Sequence, residues 1–152
     1  MNFSEAVRRC AALSSHQRKG LQALKAVDRA RITCKAPRQL VGSVDVDTAL
    51  SRTVPEAHRW DYAIGVKGRA AADEVVWIEV HPASSTGEVE SVLRKLQWLK
   101  GWAQSQARGL HDLTREYVWV ATGSVVLSAN SPQRRRLAQA GIRFAGSHCE
   151  LN

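Results

Sequence analysis

Residues 60–84 read WDYAIGVKGRAAADEVVWIEVHPAS, and this stretch decides the fold. Within Arg59–Lys67, Tyr62, Ile64 and Val66 alternate with Asp61, Ala63, Gly65 and Lys67. Glu74–His81 repeats the pattern, with Val76, Ile78 and Val80 opposed to Val75, Trp77, Glu79 and His81. A period of two belongs to strands, and Gly68–Asp73 between them reads as a turn, so the segment predicts an antiparallel hairpin with a longer loop. Pro82 is expected to end the second strand.

Beyond the hairpin, Ser85 stands three residues before Glu88, a candidate capping box. Val89, Val92, Leu93, Leu96, Leu99 and Ala103 then recur at three and four, predicting an amphipathic helix to about Gln106. Tyr117–Thr122 is a nearly continuous apolar run, as in a strand covered on both faces. Ser131 and Pro132 open a further helix that Gly141 closes, and Ile142–Ala145 reads as a last strand.

On the other side of the hairpin, Ser4–Ala30 lacks Pro and spaces its apolar residues mostly at three and four, which predicts helix. Ser14-Ser15-His16 and Gly20 weaken its middle, and two shorter helices are the alternative. Arg31–Cys34 is a weak strand candidate, Leu40–Val46 alternates loosely, and Thr48–Glu56 with Pro55 reads as a connection. The expected order is helix, three strands, helix, strand, helix, strand: a single α/β domain over residues 1–152 with a mixed central sheet.

With 44% hydrophobic and 24% charged residues, the chain has the composition of an ordinary globule. No apolar run approaches the roughly 18 residues that cross a bilayer, and MNFSEAVRRCAAL lacks the uninterrupted core of a secretory signal. The expectation is a cytoplasmic protein with no membrane partner. Cys10, Cys34 and Cys149 are too few and too widely spaced for a disulfide framework or a CxxC metal pair. No GxxxxGK[ST], GxGxxG or GxSxG pattern occurs, which removes the usual signatures of nucleotide hydrolysis, dinucleotide binding and serine hydrolysis.

The net charge of +8 is unevenly spread: +7 over residues 1–40, −3 over 41–96 and +4 over 97–152. An acidic centre suits a divalent cation and basic flanks suit a polyanion, although solvated charge also fluctuates along any chain. Asp61 lies on one strand of the hairpin, and Glu79 and His81 share a face of the other. Two carboxylates on neighbouring strands can converge on Mg²⁺ or Mn²⁺, with the Val80 carbonyl as a further oxygen ligand. Such an ion acidifies water and offsets charge on a phosphodiester. His81 in the third position would be a proton donor, a base or an electrostatic clamp.

This order, with WDYAIG, VVWIEVHPAS, the amphipathic helix and YVWVAT, resembles the PD-(D/E)xK nuclease-like superfamily over about Ser4–Thr122. The resemblance implies a restriction-endonuclease-like α-β-β-β-α-β core with an added C-terminal helix and strand. It implies a metal-dependent nucleic-acid phosphodiesterase in which Asp61 matches the motif Asp and Glu79 the acidic residue. The motif Lys position holds His81, and Trp60 stands where the family has Pro. Lys95 on the following helix, or Lys67 on the Asp61 face, is a candidate replacement lysine, and Glu5 is the candidate for an acidic residue from the first helix. Some relatives keep the fold without the chemistry, so a non-catalytic scaffold in a protein assembly is the second expectation. A homodimer is compatible with the resemblance.

Blander readings accompany these. Glu79 and His81 would also suit the solvated face of an edge strand closed by Pro82. Trp98 and Trp102, four apart on the long helix, suit packing in the case of Trp98, and packing or base stacking in that of Trp102. Arg134, Arg135 and Arg136 open a helix where positive charge opposes the macrodipole, which suits either phosphate binding or a solvated run. Asp45 and Asp47 suit a turn, or accessory ligands. His16, His58, His111 and His148 have no partners at metal-ligand spacing.

Overall fold

In the computed structural model, which describes residues 1–151, the hairpin of residues 60–84 occupies the middle of a six-stranded mixed sheet. The chain enters through α1 (Phe3–Arg9), β1 (Gln17–Arg18), α2 (Ala26–Arg29) and β2 (Ile32–Thr33). It then builds β3 (Leu40–Asp45), α3 (Val46–Leu50), β4 (Tyr62–Lys67) and β5 (Asp73–Ala83). The second half comprises α4 (Gly87–Gln106), α5 (Arg108–Asp112), β6 (Thr114–Val125), α6 (Pro132–Ala140), β7 (Ile142–Phe144) and β8 (Cys149–Glu150). The sheet order is β1-β3-β4-β5-β6-β7, while β2 and β8 form a separate parallel pair.

The connections explain the strand directions. β3, β4 and β5 are joined without a crossover and pair antiparallel, with Ala63 opposite Trp77. The step from β5 to β6 passes through α4 and α5, which is what parallel pairing requires, and α6 carries the chain to β7 likewise.

Side-chain alternation divides the interior into two cores. Tyr62, Ile64, Val76, Ile78, Val118 and Val120 fill one face, where Leu24, Ile32 and Leu151 cover them. Ala63, Val75, Trp77 and Trp119 point to the other, against Phe3 and Val7 of α1 and the stripe Val89, Val92, Leu96, Leu99 and Ala103 of α4. Each fully buried Val or Leu of that stripe contributes about 1.5–3 kcal/mol. α1 sits close because Gly65 has no side chain: a Cβ there would come within 2.4 Å of the Phe3 ring. The Phe3 N–H donates to Asp73 Oδ2 at 2.8 Å, tying the start of the helix to the start of β5.

Several expectations are corrected. Ser4–Ala30 is not one helix: it holds two short ones, α1 and α2, with β1 between them. α1 ends at Cys10 in extended backbone, Gly20 has φ +51°, and β1 pairs with β3. The reason is burial on opposite sides of the sheet: Leu13 joins the α4 face, whereas Leu24 joins the other core, so no straight helix serves both. Arg31–Cys34 contributes two strand residues, and these pair with β8 rather than with the main sheet. The connection Thr48–Glu56 begins inside α3, which Asp45 caps by accepting the Thr48 N–H at 2.9 Å.

Pro82 does not end β5, which is also not an edge strand. Pairing with β6 runs through Pro82↔Thr122 to Ala83↔Val125, and a register shift there absorbs the missing N–H. β6 is longer than Tyr117–Thr122 at both ends, and α5 falls within a stretch to which no element was assigned. Ser85 forms no capping box; Thr86 holds the N-cap position of α4 without a side-chain bond.

Candidate functional site

The site begins where the β4–β5 ladder stops. Its last pair is Tyr62↔Ile78, which leaves Asp61 across from Glu79 with no backbone pairing between the two. The side chains complete the ladder instead. The Asp61 N–H donates to Glu79 Oε1 at 3.1 Å, and the Val80 N–H donates to Asp61 Oδ2 at 2.9 Å. The two carboxylates are thereby fixed beside one another by backbone geometry.

Glu79 is 0% exposed, and burying a carboxylate is costly unless it is paired. Lys95 Nζ of α4 lies 2.5 Å from Glu79 Oε2, reaching the sheet from the third turn of the helix. His81, on the same face of β5, places Nδ1 3.5 Å from that oxygen and binds Glu88 at the start of α4 through Nε2. The Trp119 indole N–H donates to the His81 carbonyl at 2.8 Å, and the two rings meet edge to face. Lys95 and His81 thus converge on Glu79, and Glu88 closes the far side of the imidazole.

These contacts set the protonation behaviour. Burial, followed by the neighbouring charge of Glu79, pushes the Asp61 carboxyl up to about 8. The hydrogen bond that the His81 imidazole donates to Glu79, with the charge of Glu79 and the contact with Glu88, holds the imidazole above its usual value against burial and the Lys95 charge. Burial is the largest single influence on Lys95 and works against its charge, but the attraction and hydrogen bond of Glu79, together with the charges of Asp61 and Asp47, outweigh it and raise the ammonium above its ordinary range.

Among the described residues, no group of three or more His, Cys, Asp or Glu side chains forms a metal cage. The donor set fits another type of cation site, in which Mg²⁺ binds through one or two carboxylates and keeps waters for a phosphate to replace. Asp61 and Glu79 are the residues able to hold such an ion. Burial is the main cause that raises Asp61, and the second, the like charge of Glu79, is a repulsion that a cation would relieve.

The other sequence candidates are dispersed. Lys67 lies at the opposite end of β4, six residues or roughly 20 Å from Asp61, and pairs with Asp73. Glu5 forms a capping box with Asn2 at the start of α1 and does not bond to either site carboxylate. Asp47 pairs with Arg59 at 2.9 Å. Each arginine of α6 has a local partner: Arg134 stacks over Phe144, Arg135 donates to the Asn130 carbonyl and Arg136 pairs with Glu90. Glu88 is the residue that the sequence reading missed as a member of the site. Its spacing from His81 across the β5–α4 turn is the signal, which a capping-box reading absorbed.

No protein-family model, curated protein or solved structure matches the chain.

Proposed function

We propose that the chain is a divalent-metal-dependent phosphodiesterase acting on nucleic acid, with Asp61, Glu79 and Lys95 at its reactive centre. The observation that carries this reading is Lys95 on Glu79 beside Asp61: the acidic pair and a lysine stand together although the lysine comes from α4 and not from β5. The position two residues after Glu79, occupied by His81, is then free for another role. The order of three antiparallel strands, a long helix and a parallel strand supports the PD-(D/E)xK resemblance in the same direction.

Asp61 and Glu79 would hold Mg²⁺ or Mn²⁺, which when bound supplies an acidified water and offsets charge at the phosphate. Lys95 keeps a permanent positive charge at the carboxylate pair and orients Glu79. His81, held between Glu79 and Glu88, keeps a proton near the site for transfer to a leaving oxygen.

A second reading has its own support. Glu79 is fully buried and both of its oxygens are engaged, as expected of an ion-pair network that joins α4 to β5 in a non-catalytic scaffold. Cleavage of plasmid and branched DNA with Mg²⁺ or Mn²⁺ separates the two. The phosphodiesterase reading expects metal-dependent nicking that Asp61→Ala and Glu79→Ala abolish, and absence of nicking by the native chain favours the scaffold.

A further inference from the structure

Between α4 and the segment after α3 runs a groove of about 900 Å³. Leu50, Val54 and Cys10 form one wall, and Trp98, Gly101 and Trp102 the other. The two indoles stack on one another, with centroids 5.6 Å apart and planes 15° apart. Gly101 leaves the space beside them open, since a Cβ built there meets nothing within 4 Å. Trp98 follows Lys95, the partner of Glu79, by one helical turn, so this end of the groove lies one turn along α4 from the lysine of the site. Its opposite wall also leads there, because Arg59, two residues before Asp61, donates to the Val54 carbonyl at 2.9 Å.

The charge around the groove identifies its occupant. No acidic side chain lines it. Arg52 lies between the lining residues Leu50 and Thr53, Arg94 stands one turn before Trp98, and Arg9 lines the adjoining cleft that shares Cys10, Ser105 and Gln106. All three arginines are exposed and have no ion pair among the described residues. Asp112 is the acidic residue of the adjoining cleft, and Arg108 already pairs with it. An aromatic floor with a cationic border is the arrangement that accepts stacked bases and tracks their phosphates. A second copy of the chain is disfavoured, because a two-fold contact would bring this positive border against itself.

We infer that the groove binds single-stranded polynucleotide, with bases on the Trp98–Trp102 face and phosphates along Arg9, Arg52 and Arg94, and that it delivers the strand to the Asp61–Glu79 pair. This rests on the phosphodiesterase reading for its last clause only. Trp60, Trp77 and Trp119 are fully buried, so quenching of tryptophan fluorescence by a ligand reports on Trp98 and Trp102.

The experiment titrates the full chain with short oligo(dT), and with a duplex of the same length, in EDTA and at low salt. Saturable quenching is expected, about tenfold tighter for the single strand and weakening steeply with added salt. Gly101→Leu fills the groove while replacing a helix-interior glycine by a better helix former, so it should fold at least as well. It is expected to cost about tenfold or more in affinity. Absence of quenching, equal affinity for duplex, or native affinity in a folded Gly101→Leu variant overturns the inference. Concentration-dependent self-association abolished by Gly101→Leu would assign the groove to a second copy and also overturn it. Because binding is read without metal, its failure leaves the cleavage test standing, and failure of cleavage leaves the groove standing.

Discussion

Lys95 Nζ and Glu79 Oε2, from the third turn of α4 and the inner part of β5, lie 2.5 Å apart and link the helix layer to the sheet. Removing one member of a buried pair strands the other charge, at a cost of about 3–5 kcal/mol. Lys95→Met is therefore expected to lower unfolding stability by about 3 kcal/mol. Adding Glu79→Gln to Lys95→Met should recover part of that loss. Urea denaturation of the native chain, both single variants and the double variant closes the cycle. Equal stability of Lys95→Met and the native chain would contradict the pairing.

Asp61 makes stability depend on pH in a defined direction. Its carboxyl is pushed up to about 8 by burial and then by Glu79, against about 3.9 when unfolded. A native state that holds the proton more tightly has its contribution in full below about pH 4 and loses it as pH rises through about 8. Asp61→Asn still offers an acceptor to the Val80 N–H and carries no charge. It should match the native chain near pH 4 and exceed it in stability near pH 9, measured by urea denaturation at each pH.

His81 acts in the same sense through a basic group. Its imidazole is raised first by the hydrogen bond it donates to Glu79, with Glu88 adding to the effect. The stabilisation is present below the unfolded value near 6.5 and fades as pH rises through the folded one. His81→Gln should therefore cost more stability near pH 6 than near pH 9. Thermal melts across that range check the sign, and a larger loss at the alkaline end would refute it.

Gly65→Ala tests how α1 docks. The added methyl meets the Phe3 ring at 2.4 Å in a fully buried position, and overpacking of this kind costs about 1–3 kcal/mol. Phe3→Leu in the same chain should relieve part of the clash, so the two losses would be less than additive.

The parts of the fold that were legible in the sequence are those whose patterning is local. The alternation in β4 and β5 sends side chains to two cores in turn, the α4 stripe faces one of them, and the Ser131-Pro132 to Gly141 frame of α6 is capping between near neighbours. Residues 4–30 were misread because Leu13 and Leu24 serve opposite cores, which an apolar count at three and four does not reveal. The β2–β8 pair joins Ile32 to Cys149, a partnership too distant for any local pattern. At the site, strand parity alone brought Asp61, Glu79 and His81 to one face. Choosing between Lys67 and Lys95 needed the ladder register, which carries Lys67 to Asp73, and the path of α4 over the sheet, which carries Lys95 to Glu79.

Whether Asp61 and Glu79 hold a divalent cation is read from the melting temperature of the native chain with and without Mg²⁺ or Mn²⁺. A ligand that binds only the folded state stabilises it by RT ln(1 + [L]/Kd). A saturable rise is expected, larger near pH 9 than near pH 7 as Asp61 sheds its proton, and lost in Asp61→Ala. No rise at either pH, or the same rise in Asp61→Ala, would contradict it.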